Sequence, residues 1–295
     1  MKRVHQQLFC ASILSTFGFN ALADGPGSNY GGAYTTRFSY SAPADISRGT
    51  ANLGEMDAVE VGLRYTALIR VSDTYAYNVG IDYERWGFSM APGLAVPNTL
   101  QGVSLVLGNR WKFADKWTLA LSARPGLYSD FEDISGDDFS VPVTVLVSYD
   151  LNPQWQFLFG VNFQSGRDIP VLPAIGAVWK PTEQWTVSIT LPRPNVTYAF
   201  DDKLAIFAGG ELAGGAYTVG DKFGTRLGDP TLDGELLTYR EIRAGAGVRY
   251  DVSKKLRLEL EGGWVIDRRF IYHDRDLQFN GDGAPYVRIG LSGSY

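Results

Sequence analysis

The chain has 295 residues, of which 45% are hydrophobic and 20% are charged, so its composition excludes a disordered protein. No run of about twenty apolar residues occurs, which excludes a helical membrane span. The formal net charge is −5, and it becomes −7 if the first 23 residues, which include Lys2 and Arg3, are removed. This acidic balance argues against a general nucleic-acid or polyanion binder.

Residues 1–23 have the pattern of a cleaved signal peptide. Lys2 and Arg3 precede an apolar or small stretch, and Ala21-Leu22-Ala23 before Asp24 fits an A-x-A cleavage site. The single cysteine, Cys10, lies inside this segment. We therefore expect an exported mature protein, residues 24–295, without a thiol, a disulfide or a cysteine-bound metal.

Strand-like alternation follows from Ala33 to the end of the chain. Between Asp57 and Arg70, for example, the odd-numbered residues from Val59 to Ile69 are apolar, whereas most of the even-numbered ones are small or polar. The same pattern predicts fourteen strands, or twelve if 192–213 forms one irregular hairpin. We expect the mostly longer connections to be 41–56, 87–100, 128–138, 165–170, 192–194, 213–236 and 267–284.

Six short turns of four or five residues alternate with these connections. Each is flanked by bulky apolar residues six positions apart, a spacing that places both at one height of a hairpin. A ring of aromatic side chains at one end of a closed sheet is typical of a membrane interface. The predicted interface aromatics are Tyr75, Trp111, Trp117, Tyr149, Trp155, Trp179, Trp185, Phe200 and Tyr250.

These features predict an all-β fold, a closed antiparallel transmembrane β-barrel of about fourteen strands in the outer membrane, surrounded by its lipid. Such barrels combine short periplasmic turns, long external loops and apolar-out alternation, and closure satisfies every backbone group in lipid. The final residue, Tyr295, resembles the aromatic C-terminal signal read by the barrel assembly machinery. A secreted β-sandwich or solenoid is the alternative, because its strands also have one buried face.

The segment from Pro170 to Gly215 also resembles an uncharacterised family of bacterial outer-membrane barrels, a domain of unknown function. The similarity lies in Trp179-Lys180-Pro181, Trp185, the run from Leu191 to Tyr198 and Gly214-Gly215. It implies a barrel fold and an outer-membrane location, and it brings no catalytic residues.

Charged side chains on the inward faces are the candidate functional set. They are Glu60, Arg64, Asp82, Glu84, Arg110, Arg124, Glu211, Glu241, Arg243, Arg249, Arg257, Glu259, Glu261 and Arg288. One interpretation is an ion-paired network that fills a narrow lumen, because the Arg fork pairs bidentately with carboxylates. The other is a selectivity lining for small polar solutes, although equal numbers of each sign argue against strong ion selectivity.

The sequence therefore favours a passive pore or transporter for small polar solutes, with a non-conducting structural or interaction barrel as the alternative. Enzymatic function is weakly supported: His273 lies beside Asp274 and Asp276 in a charged segment, but no nucleophile motif accompanies it. The acidic segment 129–138 is rich in oxygen ligands but lacks EF-hand spacing. We expect no cofactor and no metal.

Overall fold

The computed structural model describes residues 30–164 and 170–295. The predicted signal peptide, residues 1–23, lies outside them, as does most of the connection 165–170. Fourteen antiparallel barrel strands occur in the described part, which confirms the predicted number. No helix in these two ranges is long and apolar enough to cross a bilayer.

Three of the strands are interrupted, and their two segments are given together. The strands are β1 Tyr30–Arg48, β2 Ala51–Arg70, β3 Tyr75–Met90, β4 Thr99–Ala114, β5 Trp117–Ala123 with Gly126–Ser129, β6 Phe139–Ser140 with Val143–Asn152, β7 Trp155–Phe163, β8 Val171–Trp179, β9 Trp185–Thr190, β10 Asn195–Ala199, β11 Leu204–Thr218, β12 Leu236–Ser253, β13 Leu256–Tyr272, and β14 Leu277–Gly281 with Ala284–Ser294. One short helix, α1 Phe223–Leu227, and the 3₁₀ turns Gly136–Asp138, Pro230–Leu232 and His273–Arg275 lie in the connections.

The sheet closes because the first strand pairs with both the second and the last. β1 pairs with β2 from Tyr30↔Ile69 onward and with β14 from Ala33↔Ser294 to Ser41↔Tyr286. Closure replaces the two free edges of an open sheet with a continuous ladder of hydrogen bonds, as lipid requires.

The barrel has two unlike ends. At the short-turn end, strands are joined by 71–74, 115–116, 153–154, 180–184, 200–203 and 254–255. Three of these turns have only two residues, fewer than the four or five predicted, because the ladders of β4–β5, β6–β7 and β12–β13 continue through a register shift close to the turn. We call the opposite end the loop end.

The outward face carries a belt of exposed apolar side chains. Examples from around the barrel are Leu63, Ile81, Leu105, Phe159, Ile175, Ile189, Leu260 and Ile289. Between the belt and the short turns, the predicted interface aromatics lie on the outward face. Trp155 stacks on Trp179 with ring centroids 5.5 Å apart, and Trp117 packs on Tyr149 at 4.5 Å.

The alternation reverses towards the loop end. Outward apolar residues of the belt give way to inward ones, such as Trp86 and Phe88 on β3 and Phe270 and Tyr272 on β13. These side chains form a buried cluster inside the barrel, which we call the loop-end cluster. Its members are Ile46, Met56, Ala58, Trp86, Phe88, Val96, Leu100, Tyr217, Val219, Phe223, Leu232, Leu237, Tyr239, Phe270, Tyr272, Leu277 and Phe279.

This reversal corrects two of the predicted loops. Residues 41–56 are mainly strand, since β1 and β2 meet in a turn of only Gly49 and Thr50. Most of 267–284 is also strand, with a connection of four residues, 273–276. A strand that leaves the bilayer is polar outside and apolar inside, so its pattern no longer matches that of the membrane-spanning part.

A charge placed in the belt tests whether this face meets lipid. We expect Leu260→Arg, four residues into β13 and within the belt, to lower the free energy of unfolding by about 2–4 kcal/mol, because the guanidinium would be buried in hydrocarbon. Val252→Arg, beside the β12–β13 turn, is the matched control, for which about 0–1 kcal/mol is expected at an interface. Both side chains are exposed, at 57% and 45%. Denaturant unfolding in phospholipid vesicles measures the difference, and equal losses would contradict membrane embedding.

Candidate functional site

The lumen brings together most of the charges predicted to face inward. Alternation places Glu60 on β2, Glu241 and Arg243 on β12, and Arg288 on β14 at inward positions, and all four are almost completely buried. Burial of a charge is tolerated when it is paired and hydrogen-bonded. These side chains are therefore packed within the lumen, and they do not line a wide aqueous channel.

Glu60 and Arg243 form the centre of the network. One Glu60 carboxylate oxygen accepts from Arg37 Nε at 2.6 Å, and the other accepts from Arg243 Nη1 at 2.8 Å. Arg243 Nη2 donates to Glu241 at 2.7 Å, and Glu241 also accepts from Arg268 Nη2 at 2.8 Å. Each carboxylate thus bridges two guanidinium groups.

Several of these contacts cross the lumen between strands that are not neighbours. The Glu60–Arg243 pair joins β2 to β12, and Arg288 on β14 donates to Glu211 on β11. Tyr217 on β11 donates its hydroxyl hydrogen to Glu84 on β3 at 2.7 Å, across five intervening strands. The barrel interior is therefore bridged by bonded side chains at this level.

Aromatic rings extend the bridging towards the loop end. Trp86 on β3 packs edge-on against Tyr239 on β12 at 4.8 Å, and Phe88 meets Phe270 on β13 at 5.0 Å. Arg243 lies 5.1 Å from the centroid of the Trp86 ring, so a cation–π contact joins the ionic network to the loop-end cluster.

The segment 219–235 closes the loop end. Phe223 of α1 and Leu232 are buried in the loop-end cluster. Asp130, just after β5, accepts a hydrogen bond from the Gly220 N–H at 2.9 Å. Burial raises the pKa of the Asp130 carboxyl, although the Gly220 hydrogen bond opposes this shift. Asp130 thus holds the segment 219–235 against the end of β5.

The other predicted charges form smaller groups nearer the short-turn end. Arg64 binds Asp82 bidentately at 2.8 and 3.0 Å, and Arg124 approaches the same carboxylate at 3.4 Å. Arg249 pairs with Glu259 at 3.1 Å, and Arg257 pairs with Asp251. Glu261 instead joins the central network, because it accepts from Arg288. Arg110 lies at an inward position of β4 near its end.

Three network members were missing from the predicted set. Arg37 belongs to β1, whose alternation was visible in the sequence, so its inward position was available from that pattern. Arg193 lies in the β9–β10 connection and Arg268 in a predicted loop. A bulge at the Ile242/Arg243 register shift turns Arg268 inward, and sequence periodicity gives no sign of this shift.

His273 and the acidic segment 129–138 both lie in connections at the loop end. His273 begins the 3₁₀ turn between β13 and β14, at the loop end. In the acidic segment, Asp138 accepts from the Ser135 N–H and thereby caps a 3₁₀ turn. Within residues 30–164 and 170–295, no group of three or more His, Cys, Asp or Glu side chains is placed to hold a metal ion.

The closed barrel with its outward apolar belt defines the class of fold, and comparisons with known proteins agree with it. The chain belongs to the family described as Domain of unknown function (DUF6268), which matches residues 67–292. No curated protein matches the sequence.

Solved structures of outer-membrane barrels resemble the chain at low identity. The deltaS2S3 mutant of the monoaromatic hydrocarbon channel TodX is 12% identical, with 91% of each chain covered and a TM-score of 0.50. An outer-membrane channel from Pseudomonas putida F1 is 10% identical, over 92% of this chain and 100% of that chain, with a TM-score of 0.46. At this identity, the first likeness shows the fold alone, that of an outer-membrane β-barrel.

Removal of a buried carboxylate should destabilise the barrel far more than removal of an exposed one. Glu241→Ala leaves Arg268 without its carboxylate partner in a buried site, and we expect a loss of about 3–5 kcal/mol. Glu132→Ala removes the exposed pair with Arg226 and should change the free energy of unfolding by about 1 kcal/mol or less. Denaturant unfolding in vesicles compares the two variants, and similar losses would contradict a tightly packed network.

Proposed function

We propose that the protein is an outer-membrane channel for small polar solutes whose lumen is closed at rest by the Glu60–Arg243 network. The observation that carries this proposal is a polar cleft inside the barrel, with a volume of about 80 Å³. Such a cleft provides hydrogen-bond partners for a solute without presenting a strongly charged surface.

The cleft has two unlike walls. Hydroxyl side chains on β9 and β10, namely Thr186, Ser188, Thr190 and Thr197, line one wall. The other carries Arg193, Arg249, Glu259 and Glu261. Because Arg193 pairs with Glu261 at 3.2 Å and Arg249 with Glu259, the charges of this wall balance each other. This balance suits uncharged polar solutes.

The network that bridges the lumen supports a closed resting state. Contacts such as Glu60–Arg243 and Tyr217–Glu84 occupy the path between the cleft and the loop end. Conduction therefore requires these side chains to separate, and the gate lies among β2, β3, β11 and β12.

The same burial favours a second candidate, a non-conducting barrel. If the network never separates, the lumen is a packed interior, and function resides on the outer surface and the connections at the loop end. Conductance distinguishes the two candidates, because only a channel gains current when the bridging side chains are shortened.

The double variant Glu60→Ser/Arg243→Ser tests the gate. It removes one cation and one anion, and it leaves Glu241 with Arg268 and Arg37 with Glu84. In planar bilayers, we expect rare openings for the parent and frequent openings or a larger conductance for the variant, because two long side chains no longer cross the lumen.

Glu132→Ser/Arg226→Ser, which removes an exposed pair at the loop end, is the control and should conduct like the parent. Absence of current from both the parent and the Glu60→Ser/Arg243→Ser variant, with folding shown by heat-modifiable gel migration, would overturn the Glu60–Arg243 network as the gate of a channel and favour the non-conducting barrel.

A further inference from the structure

The barrel wall is unusually low at the β9–β10 hairpin. β9 has six residues and β10 has five, whereas the neighbouring β11 has fifteen. Six residues tilted by about 40° rise only about 15 Å along the membrane normal, compared with an apolar band of about 25 Å. The hairpin therefore covers little more than half of the band.

Both flanking strands continue beyond the hairpin without a partner strand on that side. β8 pairs with β9 only from Gly176 to Trp179, so Val171–Ile175 pairs with β7 alone. The β10 ladder reaches only Gly209 on β11. At the hairpin itself, the two strands between β8 and β11 account for three inter-strand spacings, so the base of the gap is about 14 Å wide. No strand fills this gap in the described part of the chain.

Prolines reduce the number of unpaired backbone donors at the gap. Pro192 and Pro194 form the top of the hairpin, and their carbonyls accept from Leu212 and Gly210 at 2.9 Å. Pro170 and Lys180, which flank β8, bond to Gln164 and Gln154, which flank β7. The even-numbered backbone groups of β8 therefore face β7, and the backbone nitrogen of the odd-numbered Pro173 is directed towards the gap. Proline has no N–H, and it is placed at sheet edges for this reason.

The gap is bounded at the loop end as well. The end of β11 crosses to β5, where Thr218 pairs with Ser129 and the Thr218 carbonyl accepts from the Asp130 N–H at 3.2 Å. Nine strands, β11–β14 and β1–β5, thus meet above a fourteen-stranded lower part. In the described part of the chain, the opening is a window in the wall. The cleft lies behind it, because Thr190, Arg193 and Pro194 at the top of the hairpin line the cleft.

The chemistry of the window selects its occupant. Its outer rim is apolar, with Ile175, Ile189 and Leu191 exposed on the outward face. Its inner side presents the hydroxyls of Thr186, Ser188, Thr190 and Thr197, beside Arg and Glu side chains that neutralise one another. A molecule that satisfies both sides has an apolar chain and an uncharged head with hydrogen-bonding groups.

We propose that the window admits a single-chain amphiphile with an uncharged, hydroxyl-bearing head from the bilayer into the cleft. The hydroxyl side chains of β9 and β10 bind the head, and the chain stays in lipid outside Ile189 and Leu191. This lateral site goes beyond the channel proposal and does not require that the lumen conduct.

Cysteine reporters test the site in a Cys10→Ser background, since Cys10 is the only native cysteine. Thr190→Cys lies at the window, and Thr144→Cys lies in a complete part of the wall, paired with Ser122 and Asn162. Both native threonines face the lumen and are 6% exposed. In phospholipid vesicles, N-dodecylmaleimide should modify Thr190→Cys about tenfold faster than Thr144→Cys, because the membrane concentrates the reagent at the window.

A sulfonated, water-soluble maleimide is the reagent control and should show no such preference. Dodecyl glucoside should slow the modification of Thr190→Cys, whereas glucose and dodecyl sulfate at equal concentrations should not. Asn195→Cys and Asn162→Cys, both partly buried and inward-facing, form a second reporter pair if Thr190→Cys fails to fold.

Equal rates for the window reporter and its control would overturn the proposal. The same preference with the sulfonated reagent would mean entry from water and would also overturn it. Loss of conductance in the channel experiment leaves these rates unchanged, so the failures of the two proposals are distinguishable.

Discussion

A backbone in lipid has no water to bond, and this constraint shapes the whole protein. The ladder must return to its first strand, which it does when β1 pairs with β14. Closure creates an interior, and alternation then sends every second side chain into it. The charged network, the loop-end cluster and the cleft all result from filling that interior. Within the described residues, the wall is lowest at the β9–β10 hairpin, and prolines and a polar cavity occur there.

Along its length the barrel meets lipid at the belt and water near the loop end. The apolar side chains face outward in the first part and inward in the second. Leu258 and Leu260 on β13 face outward in the belt, whereas Phe270 and Tyr272 of the same strand face inward beyond it. The part near the loop end is therefore packed like a water-soluble β-barrel, with a dry aromatic core. This core and the ion pairs below it close the lumen in different ways, the first by hydrophobic burial and the second by charge pairing.

The candidate site was partly predictable. The inward positions of Glu60, Arg243 and Arg288 follow directly from period-2 alternation. Arg268 was missed, because a bulge changes the phase of β13 within a segment that has the composition of a loop. Arg193 was missed because it belongs to a connection, and its pairing with Glu261 depends on how far that connection reaches into the lumen.

The sequence by itself determined the class of fold, the fourteen strands and the aromatic ring at the short-turn end, because alternation and turn spacing are local properties. Only the tertiary structure decided which charges meet. Glu60 and Arg243 lie 183 positions apart, and their contact across the lumen depends on the curvature of the closed sheet. The window also depends on the tertiary structure, because a short hairpin becomes an opening only when longer strands flank it on both sides.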